Sequence, residues 1–109
     1  MPAIVQINFP YTESQADLEA HSEEAANRFV AIDGLQWKIW LVDEKSKTAG
    51  GIYLFATREQ AQAYAAGDLV SHLMNVRKGV EVRVFDTIDG AGRITRAPLS
   101  FHQPSAFSL

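Results

Sequence analysis

The sequence predicts an α+β domain in which a four-stranded antiparallel sheet carries two helical regions on one face, in the order βαββαβ. Three observations support this fold class. Four segments are rich in β-branched and aromatic residues and are bounded by turn residues, as strands are. Two other segments begin with capping motifs and continue with apolar residues at helical spacing. The 109 residues, 47% of them hydrophobic and 21% charged, suit one globular domain.

The first strand and the first helix are predicted in the N-terminal third of the chain. Ala3 to Phe9 has the composition of a strand. Ser14 followed by Asp17, or Thr12 followed by Gln15, can then cap a helix that continues to about residue 31. Its apolar residues fall on one stripe and its acidic residues on the other side, which indicates a helix with one solvent-exposed face.

Residues 35–43 and 50–56 are the most aromatic part of the chain and are predicted to form an antiparallel hairpin. Gly34 precedes them as the left-handed residue that ends the helix. Trp37 and Trp40 lie three positions apart in the first of these strands. Because side chains alternate along a strand, one tryptophan is expected on each face of the sheet.

The second helical region and the last strand follow this hairpin. Thr57 begins a capping box, and Gly67-Asp68 divides the helical region into two stretches. Val80 to Thr87 alternates apolar with charged residues and is predicted to be the fourth strand. After a turn at Asp89-Gly90, the segment Arg93 to Arg96 is a candidate for a short fifth strand.

This order of elements is the ferredoxin-like plan, in which both helical regions cover one face of the sheet. Strand alternation sorts the side chains into two sets. The nearly pure hydrocarbon set is expected beneath the helices: Val5, Ile7, Phe9, Leu35, Trp37, Ile39, Leu41, Ile52, Leu54, Val80, Val82 and Val84. The set that mixes aromatic with polar and charged residues is expected on the bare face: Gln6, Asn8, Lys38, Trp40, Tyr53, Phe55, Glu81, Arg83 and Phe85.

A bare sheet face with clustered aromatic residues implies a partner that covers it. An identical chain is the simplest partner, because closed symmetric dimers dominate among oligomers. We therefore expect a homodimer with its two sheets face to face. The domain is expected to span residues 1–99, and the tail, residues 100–109, is expected to pack on the dimer partner.

Composition excludes several classes of function. The net charge of −3 gives no electrostatic basis for binding nucleic acid or an anionic membrane surface. The chain has no cysteine, which excludes disulfides, thiolate catalysis and zinc fingers and is consistent with the cytoplasm. No signal peptide or apolar run long enough to span a membrane is visible. The three histidines lack metal-ligand spacing, so no metal site is expected.

Several side chains are candidates for chemistry, and each has a structural alternative. His72 could be a general base that faces a pocket between helix and sheet, or a boundary histidine bonded to a backbone carbonyl. Trp37 is expected in the core, and it would contact a ligand only if the helices leave a cavity above the sheet. Trp40, Tyr53 and Phe55 are expected at the dimer interface rather than in a binding site.

The polar candidates also have a structural alternative each. Lys38 and Arg83 are expected to pair with Glu81 or with a carboxylate of the partner, because a buried unpaired charge is costly. Asn8 could orient a ligand carbonyl or form an ordinary structural hydrogen bond. The Gly50-Gly51 pair precedes a strand and not a helix, so it indicates a bulge or a close backbone approach and not a phosphate loop.

Three motifs resemble the YdhR family: Gly34-Leu35-Gln36-Trp37-Lys38-Ile39-Trp40, Ala49-Gly50-Gly51-Ile52-Tyr53-Leu54-Phe55 and Val84-Phe85-Asp86. The likeness extends to about residue 99. The family is similar in fold to the antibiotic-biosynthesis monooxygenases, the dimeric α/β-barrel superfamily. The resemblance thus implies the same domain plan and the same face-to-face dimer as the residues do.

The resemblance also implies a chemistry, which is the oxygenation of a small aromatic or polycyclic phenol-type substrate by O2 without a cofactor. Such an enzyme needs a dry aromatic pocket and a group that takes the substrate's proton. On this basis we assign catalytic roles to His72, Tyr53 and Arg83, and substrate-binding roles to Trp37, Trp40, Asn8, Phe55 and Lys38.

Two alternatives remain open at this point. The first is a non-catalytic ligand-binding or interaction dimer that uses the same fold. The second is heme degradation, because similar enzymes of the IsdG type use an Asn on the first strand with a Trp and a His on the second helix. Asn8 and Tyr64 occupy comparable places, whereas His72 is two positions out of register and would point to another helix face.

Overall fold

The fold is built on a four-stranded antiparallel sheet with helices packed on one of its faces. The structure is a computed structural model and describes residues 1–99. Its elements are β1 (Ala3–Pro10), α1 (Gln15–Phe29), β2 (Leu35–Asp43), β3 (Thr48–Phe55), α2 (Arg58–Ala65), α3 (Asp68–Val76), β4 (Glu81–Asp86) and α4 (Asp89–Ile94). The strand order is β2-β3-β1-β4, so β2 and β4 form the two edges. The predicted ferredoxin-like α+β fold is confirmed, with α2 and α3 together forming the second helical region.

The predicted helix boundaries rest on local hydrogen bonds. Ser14 caps α1 by accepting a bond from the Asp17 N–H at 3.1 Å, and Thr57 caps α2 by accepting one from the Gln60 N–H at 3.2 Å. Each bond satisfies a backbone donor that the helix itself leaves free, and is worth about 1 kcal/mol. Gly34 takes the left-handed conformation, with φ of 79°, before β2 begins.

The main core lies between the sheet and the helices. Val5 and Ile7 of β1 face the same side as Phe55 of β3 and contact Ala61 of α2 and Val70 of α3 in one buried cluster. Val82 and Val84 of β4 and Phe9 of β1 pack against this cluster. The face assignment made for β1 and β4 from the sequence is therefore confirmed.

The face assignment made for β2 and β3 is wrong after Leu35. The pairing of β2 with β3 shifts register between Leu35 and Trp37, and the extra residue of this bulge reverses the alternation. As a result Trp37, Ile39 and Leu41 lie on the open face, away from the helices, and Lys38 and Trp40 lie on the helix face. The faces of β3 are set by its regular pairing with β1: Tyr53 lies opposite Val5 and Phe55 opposite Ala3, so both face the helices, and Ile52 and Leu54 lie on the open face. Lys38 and Arg83 consequently do not share a face.

The C-terminal part of the described chain also differs from expectation. The proposed fifth strand at Arg93–Arg96 is wrong, because Asp89–Ile94 forms the short helix α4. Its backbone is bonded locally, for example from the Gly92 N–H to the Ile88 carbonyl at 2.9 Å, where a strand would need a neighbour. After α4 the chain reaches the opposite edge of the sheet, where the Trp37 indole N–H donates to the Pro98 carbonyl at 3.0 Å.

The predicted packing of residues 100–109 on a partner lies outside the described residues. Of the helices in residues 1–99, none combines the length and the apolar character that a bilayer crossing requires.

Candidate functional site

Lys38 of β2 lies in a cage of three aromatic rings on the helix face. Its Nζ atom is 3.2 Å from the ring centroid of Trp40, 3.8 Å from that of Phe29 and 4.4 Å from that of Tyr53. All three distances are within the range of cation–π contacts. We call Lys38 and these three aromatic residues the lysine cage.

The hairpin and α1 build the lysine cage together. In the register of β2 with β3, Lys38 lies opposite Tyr53 and Trp40 lies opposite Gly51, which places all four on one face. Phe29 is the last residue of α1, and its ring meets that of Trp40 edge-on, with centroids 5.2 Å apart and planes at 64°. The end of α1 thus closes the cage over the sheet.

Gly51 makes room for the lysine side chain. A Cβ atom at this position would lie 2.7 Å from Lys38 Cε and 3.2 Å from a ring carbon of Tyr53. Any other residue would therefore displace the lysine side chain from its place. The close approach that the Gly50-Gly51 pair indicated is confirmed at both positions, since a Cβ at Gly50 would lie 1.9 Å from the Ile7 carbonyl oxygen.

The surroundings of Lys38 favour the neutral amine more than the surroundings of an exposed lysine do. Within residues 1–99 no carboxylate lies at ion-pair distance from Nζ. Burial among hydrocarbon lowers the pKa of Lys38 to about 7. The ring faces attract the ammonium cation and therefore favour the charged form, against the effect of burial.

Tyr53 brings a phenol into the same site. Its ring lies 5.1 Å from that of Tyr64 in α2, which in turn lies 5.4 Å from that of Phe55. Burial, together with the neighbouring Tyr64, raises the pKa of Tyr53 above its usual value. The Tyr53 hydroxyl therefore stays protonated at physiological pH and is a hydrogen-bond donor.

Two cavities between α1 and β2 adjoin the lysine cage. The first, of about 250 Å³, is lined by Ala26, Phe29, Val30, Leu35, Gln36, Trp37, Lys38 and Trp40. The second, of about 400 Å³, is lined by Leu18, Glu19, Ser22, Glu23, Ala26, Trp40, Leu41 and Val42. Ala26 and Trp40 border both cavities. A flat aromatic ligand bound here would contact apolar side chains on both sides, as small-molecule sites typically provide.

Comparison with known proteins agrees with this fold. A family model described as "Putative mono-oxygenase ydhR" matches residues 4–98. The chain belongs to this family. Two solved structures are similar to it. The NE2512 protein of Nitrosomonas europaea, of unknown function, shows 18% identity and a TM-score of 0.63, with 80% of this chain and 89% of that chain covered. The Rv0793 protein of Mycobacterium tuberculosis shows 16% identity and a TM-score of 0.60, with 82% and 97% covered.

At these identities the two structures support the fold alone. A search of curated proteins finds no match to this chain. The predicted membership of the YdhR family is confirmed. The family description gives monooxygenase activity as the coarse expectation, and the substrate and the catalytic groups have to be inferred from this chain's own residues.

The structure brings together four of the predicted site residues of this ydhR family member. Lys38, Trp40 and Tyr53 form most of the lysine cage, and Phe55 lies behind Tyr64 on the same face. They had been expected on the open face at a dimer interface. The bulge in β2 turns Lys38 and Trp40 toward the helices, where both line the smaller cavity. Tyr53 and Phe55 face the helices because of the pairing of β3 with β1, and they lie in the buried core.

The other four predicted site residues lie elsewhere. Asn8 and Arg83 are on the open face, where they line a separate cavity of about 320 Å³. Trp37 borders the smaller cavity beside the cage, but its indole N–H is bonded to the Pro98 carbonyl. His72 is exposed on α3. Asn8 also lies on the opposite face from Tyr64, so the residues that suggested heme degradation do not meet in one pocket.

Sequence reasoning missed Phe29 and Gly51. Phe29 belongs to the apolar stripe predicted for the first helix, but no sequence signal shows that this helix ends over Lys38. The glycine pair was noticed, and its position opposite the Trp-Lys-Ile-Trp segment was the available signal for a close approach. Among residues 1–99 there is no group of three or more His, Cys, Asp or Glu side chains arranged to hold a metal ion.

Proposed function

We propose that this ydhR family member is a cofactor-independent monooxygenase that oxidises a small aromatic or polycyclic phenol-type substrate with O2. The observation that carries the proposal is the position of Lys38, whose amine has no carboxylate partner in residues 1–99 and lies within a cage of aromatic rings beside a cavity. The amine replaces His72 as the proposed base, because His72 is exposed on α3.

The first step is removal of a proton from the substrate. A general base works best when its pKa lies near the operating pH, and burial brings the pKa of Lys38 to about 7. Proton transfer from an acidic C–H or O–H of the substrate to Nζ produces a delocalised substrate anion beside a lysine cation. The cation then stabilises the anion beside the aromatic rings that line the cavity.

The second step is reaction of the anion with O2. The electron-rich carbon forms a C–O bond with oxygen to give a peroxide, which takes up the proton that Lys38 received. Loss of water from this hydroperoxide leaves a carbonyl group, so the overall change is CH2 plus O2 to C=O plus H2O. Tyr53 lies against Lys38 but lines neither cavity, so its proposed role is to hold the lysine side chain in place.

The aromatic lining supports this class of substrate. Phe29 and Trp40 meet edge-on and border the smaller cavity, so a planar ring can stack on either of them. The flanking cavity gives room for a second or third fused ring.

Oxygen consumption tests the proposal. Purified protein is supplied with a panel of anthrones and polycyclic phenols in air, and O2 uptake is measured with an electrode while products are identified by mass spectrometry. Replacement of Lys38 by Met should lower kcat by at least about 100-fold, as loss of a general base does. Lys45 is exposed in the β2–β3 loop, so Lys45→Met is the matched control and should retain full activity.

Other outcomes of the same experiment identify the alternatives. Saturable binding of these compounds without O2 uptake would support a non-catalytic ligand-binding protein and overturn the monooxygenase proposal. Full activity in Lys38→Met would remove Lys38 from the mechanism. Addition of hemin followed by a search for a Soret band tests heme binding separately, and no such band is expected.

We also propose that the protein is a homodimer formed through the open sheet face. This face carries the exposed apolar side chains Ile39 and Phe85 together with the charged pair Glu81 and Arg83. Mixed apolar and charged surfaces of this kind suit a self-complementary interface.

A further inference from the structure

We propose that Lys38 is also a nucleophilic amine that forms an imine with aromatic aldehydes and ketones bound beside the lysine cage. This activity goes beyond the proposed oxygenation, because it needs no O2 and no acidic proton on the ligand. It would allow the protein to bind or activate carbonyl compounds covalently and reversibly.

The geometry of the cage is the basis of this inference. Lysine becomes a nucleophile when a hydrophobic site withholds both water and a neutralising carboxylate. Lys38 is half-buried and is shielded from water in part, since three ring centroids lie within 4.4 Å of Nζ while Trp40 itself is 37% exposed. It has no neutralising carboxylate, since the carboxylates of residues 1–99 that form ion pairs do so with Lys47, Arg58 and Arg77. Burial also favours the unprotonated amine that the reaction requires.

The adjoining cavity gives a carbonyl compound access to the amine. Lys38 lines the smaller cavity together with Phe29 and Trp40. Because Nζ already lies over both rings, an aromatic aldehyde would bind against the sides of Phe29 and Trp40 that line the cavity, and its carbonyl carbon would meet Nζ from the cavity. The cage thereby orients the reacting groups.

The chemistry balances without any further reagent. The nitrogen lone pair attacks the carbonyl carbon, and a C–N bond forms as the carbonyl π bond breaks. The oxygen takes a proton to give a carbinolamine and then leaves as water, after which nitrogen loses its remaining proton and the C=N bond is complete. Both protons of the released water come from the Lys38 amine, so no other group is consumed.

The other lysines of the chain provide internal references. Lys45 and Lys78 are exposed, and an ordinary exposed lysine is almost wholly protonated at neutral pH. Lys47 donates to Glu44 at 3.2 Å and to the Glu13 carbonyl at 3.1 Å, so its amine is engaged. Selective reaction at Lys38 is therefore the distinguishing expectation.

Reductive trapping tests the inference. The full-length protein is incubated at pH 7 without oxygen with 2-naphthaldehyde and cyanoborohydride, which delivers hydride to an imine and fixes the ligand as a secondary amine. Peptide mapping by mass spectrometry then gives the labelling rate at each lysine. We expect Lys38 to be labelled at least about tenfold faster than Lys45 or Lys78, because these exposed lysines lie outside the aromatic cage that would bind and orient the aldehyde.

Two variants complete the experiment. Lys38→Arg keeps a cation in the cage but has no nucleophilic amine, and it should lose the fast adduct while slow labelling at Lys45 continues. Lys45→Arg should leave the Lys38 adduct unchanged. Equal labelling of all lysines, or protection of Lys38, in the wild-type protein would overturn the inference whether or not the variants fold. Since oxygen is absent, failure here and failure of O2 uptake are separate results.

Discussion

At the scale of single residues, Lys38 is unusual because it is a charged side chain on the face of the sheet that packs against the helices. The helix face of the sheet is otherwise filled by hydrocarbon and by tyrosine side chains, and a lysine there gives up hydration without gaining a carboxylate from residues 1–99. Three aromatic rings offset part of that cost. Natural sequences accept such conflicts mainly at functional sites, which supports a chemical role for this amine.

The stability of the fold should reveal this conflict directly. We expect Lys38→Met to raise the melting temperature at pH 6 by several degrees, corresponding to about 1 kcal/mol, because methionine packs against aromatic rings without an ionic cost. The pKa of Lys38 is about 7 in the folded state, below the value of 10.5 for a free side chain. Between these two values the unfolded chain holds a proton that the folded chain has lost, so wild-type stability rises with pH.

The melting temperature of Lys38→Met should therefore exceed that of the wild type by less at pH 9.5 than at pH 6. Differential scanning calorimetry of both proteins at the two pH values measures it, with Lys45→Met as the control that should not change the melting temperature. A lower melting temperature for Lys38→Met at pH 6 would mean that the aromatic rings stabilise the cation by more than burial costs it.

At the scale of secondary-structure elements, an ion pair links the start of α1 to the end of α3. Arg77, the C-cap residue of α3, donates to both carboxylate oxygens of Glu13, at 3.1 and 2.6 Å, and its guanidinium lies 4.6 Å from the Phe9 ring centroid. The two side chains are only 24% and 21% exposed. A bidentate pair that is partly shielded from water is stronger than an ordinary surface pair.

Replacement of Glu13 by Gln should destabilise the protein by about 1 kcal/mol at pH 7. The hydrogen bonds from Arg77 are the main cause that lowers the pKa of Glu13 to about 2. Because the folded pKa is depressed, the contribution is complete above the unfolded pKa near 4.5 and is lost as the pH falls toward 2. Urea denaturation measures the free energy of unfolding of the wild type and of Glu13→Gln. The two values should differ at pH 7 and should differ less at pH 3.

Glu24, exposed on α1, gives the matched control, and Glu24→Gln should leave the urea midpoint nearly unchanged at both pH values. An effect of Glu13→Gln that is the same at pH 7 and pH 3 would contradict an ionic contribution from this pair.

The elements differ in how far the sequence reveals them. The caps at Ser14 and Thr57 are local signals and are found where they were predicted. The faces of β2 could not be predicted, because one extra residue after Leu35 reverses the alternation and both faces of that strand are apolar enough to be buried. The lysine cage depends on that reversal. Periodicity therefore predicted the fold, while the site followed from a bulge that periodicity does not show.

At the scale of the whole molecule, the open face of the sheet is the surface proposed for dimer formation. Trp40, Tyr53 and Phe55 lie on the other face, so the prediction of a dimer can no longer rest on these aromatic residues. Other side chains replace them, since Ile39 is 50% and Phe85 is 43% exposed on the open face. Glu81 and Arg83 lie on the same face two residues apart on β4.

We propose that the two-fold axis passes between Glu81 and Arg83 of β4, so that Arg83 of each chain meets Glu81 of the other, since contacts in such an interface are reciprocal. We expect light scattering at micromolar concentration to give a mass near twice the 12.1 kDa of one chain. Arg83→Glu should dissociate the dimer, because like charges across an interface are strongly unfavourable, and the double exchange of Glu81→Arg with Arg83→Glu should restore it. Arg28→Glu on the exposed side of α1 changes the net charge equally and should leave the mass unaltered. A wild-type mass of one chain would rule out the dimer, and a dimer that survives Arg83→Glu would show that the two sheets meet in a different register.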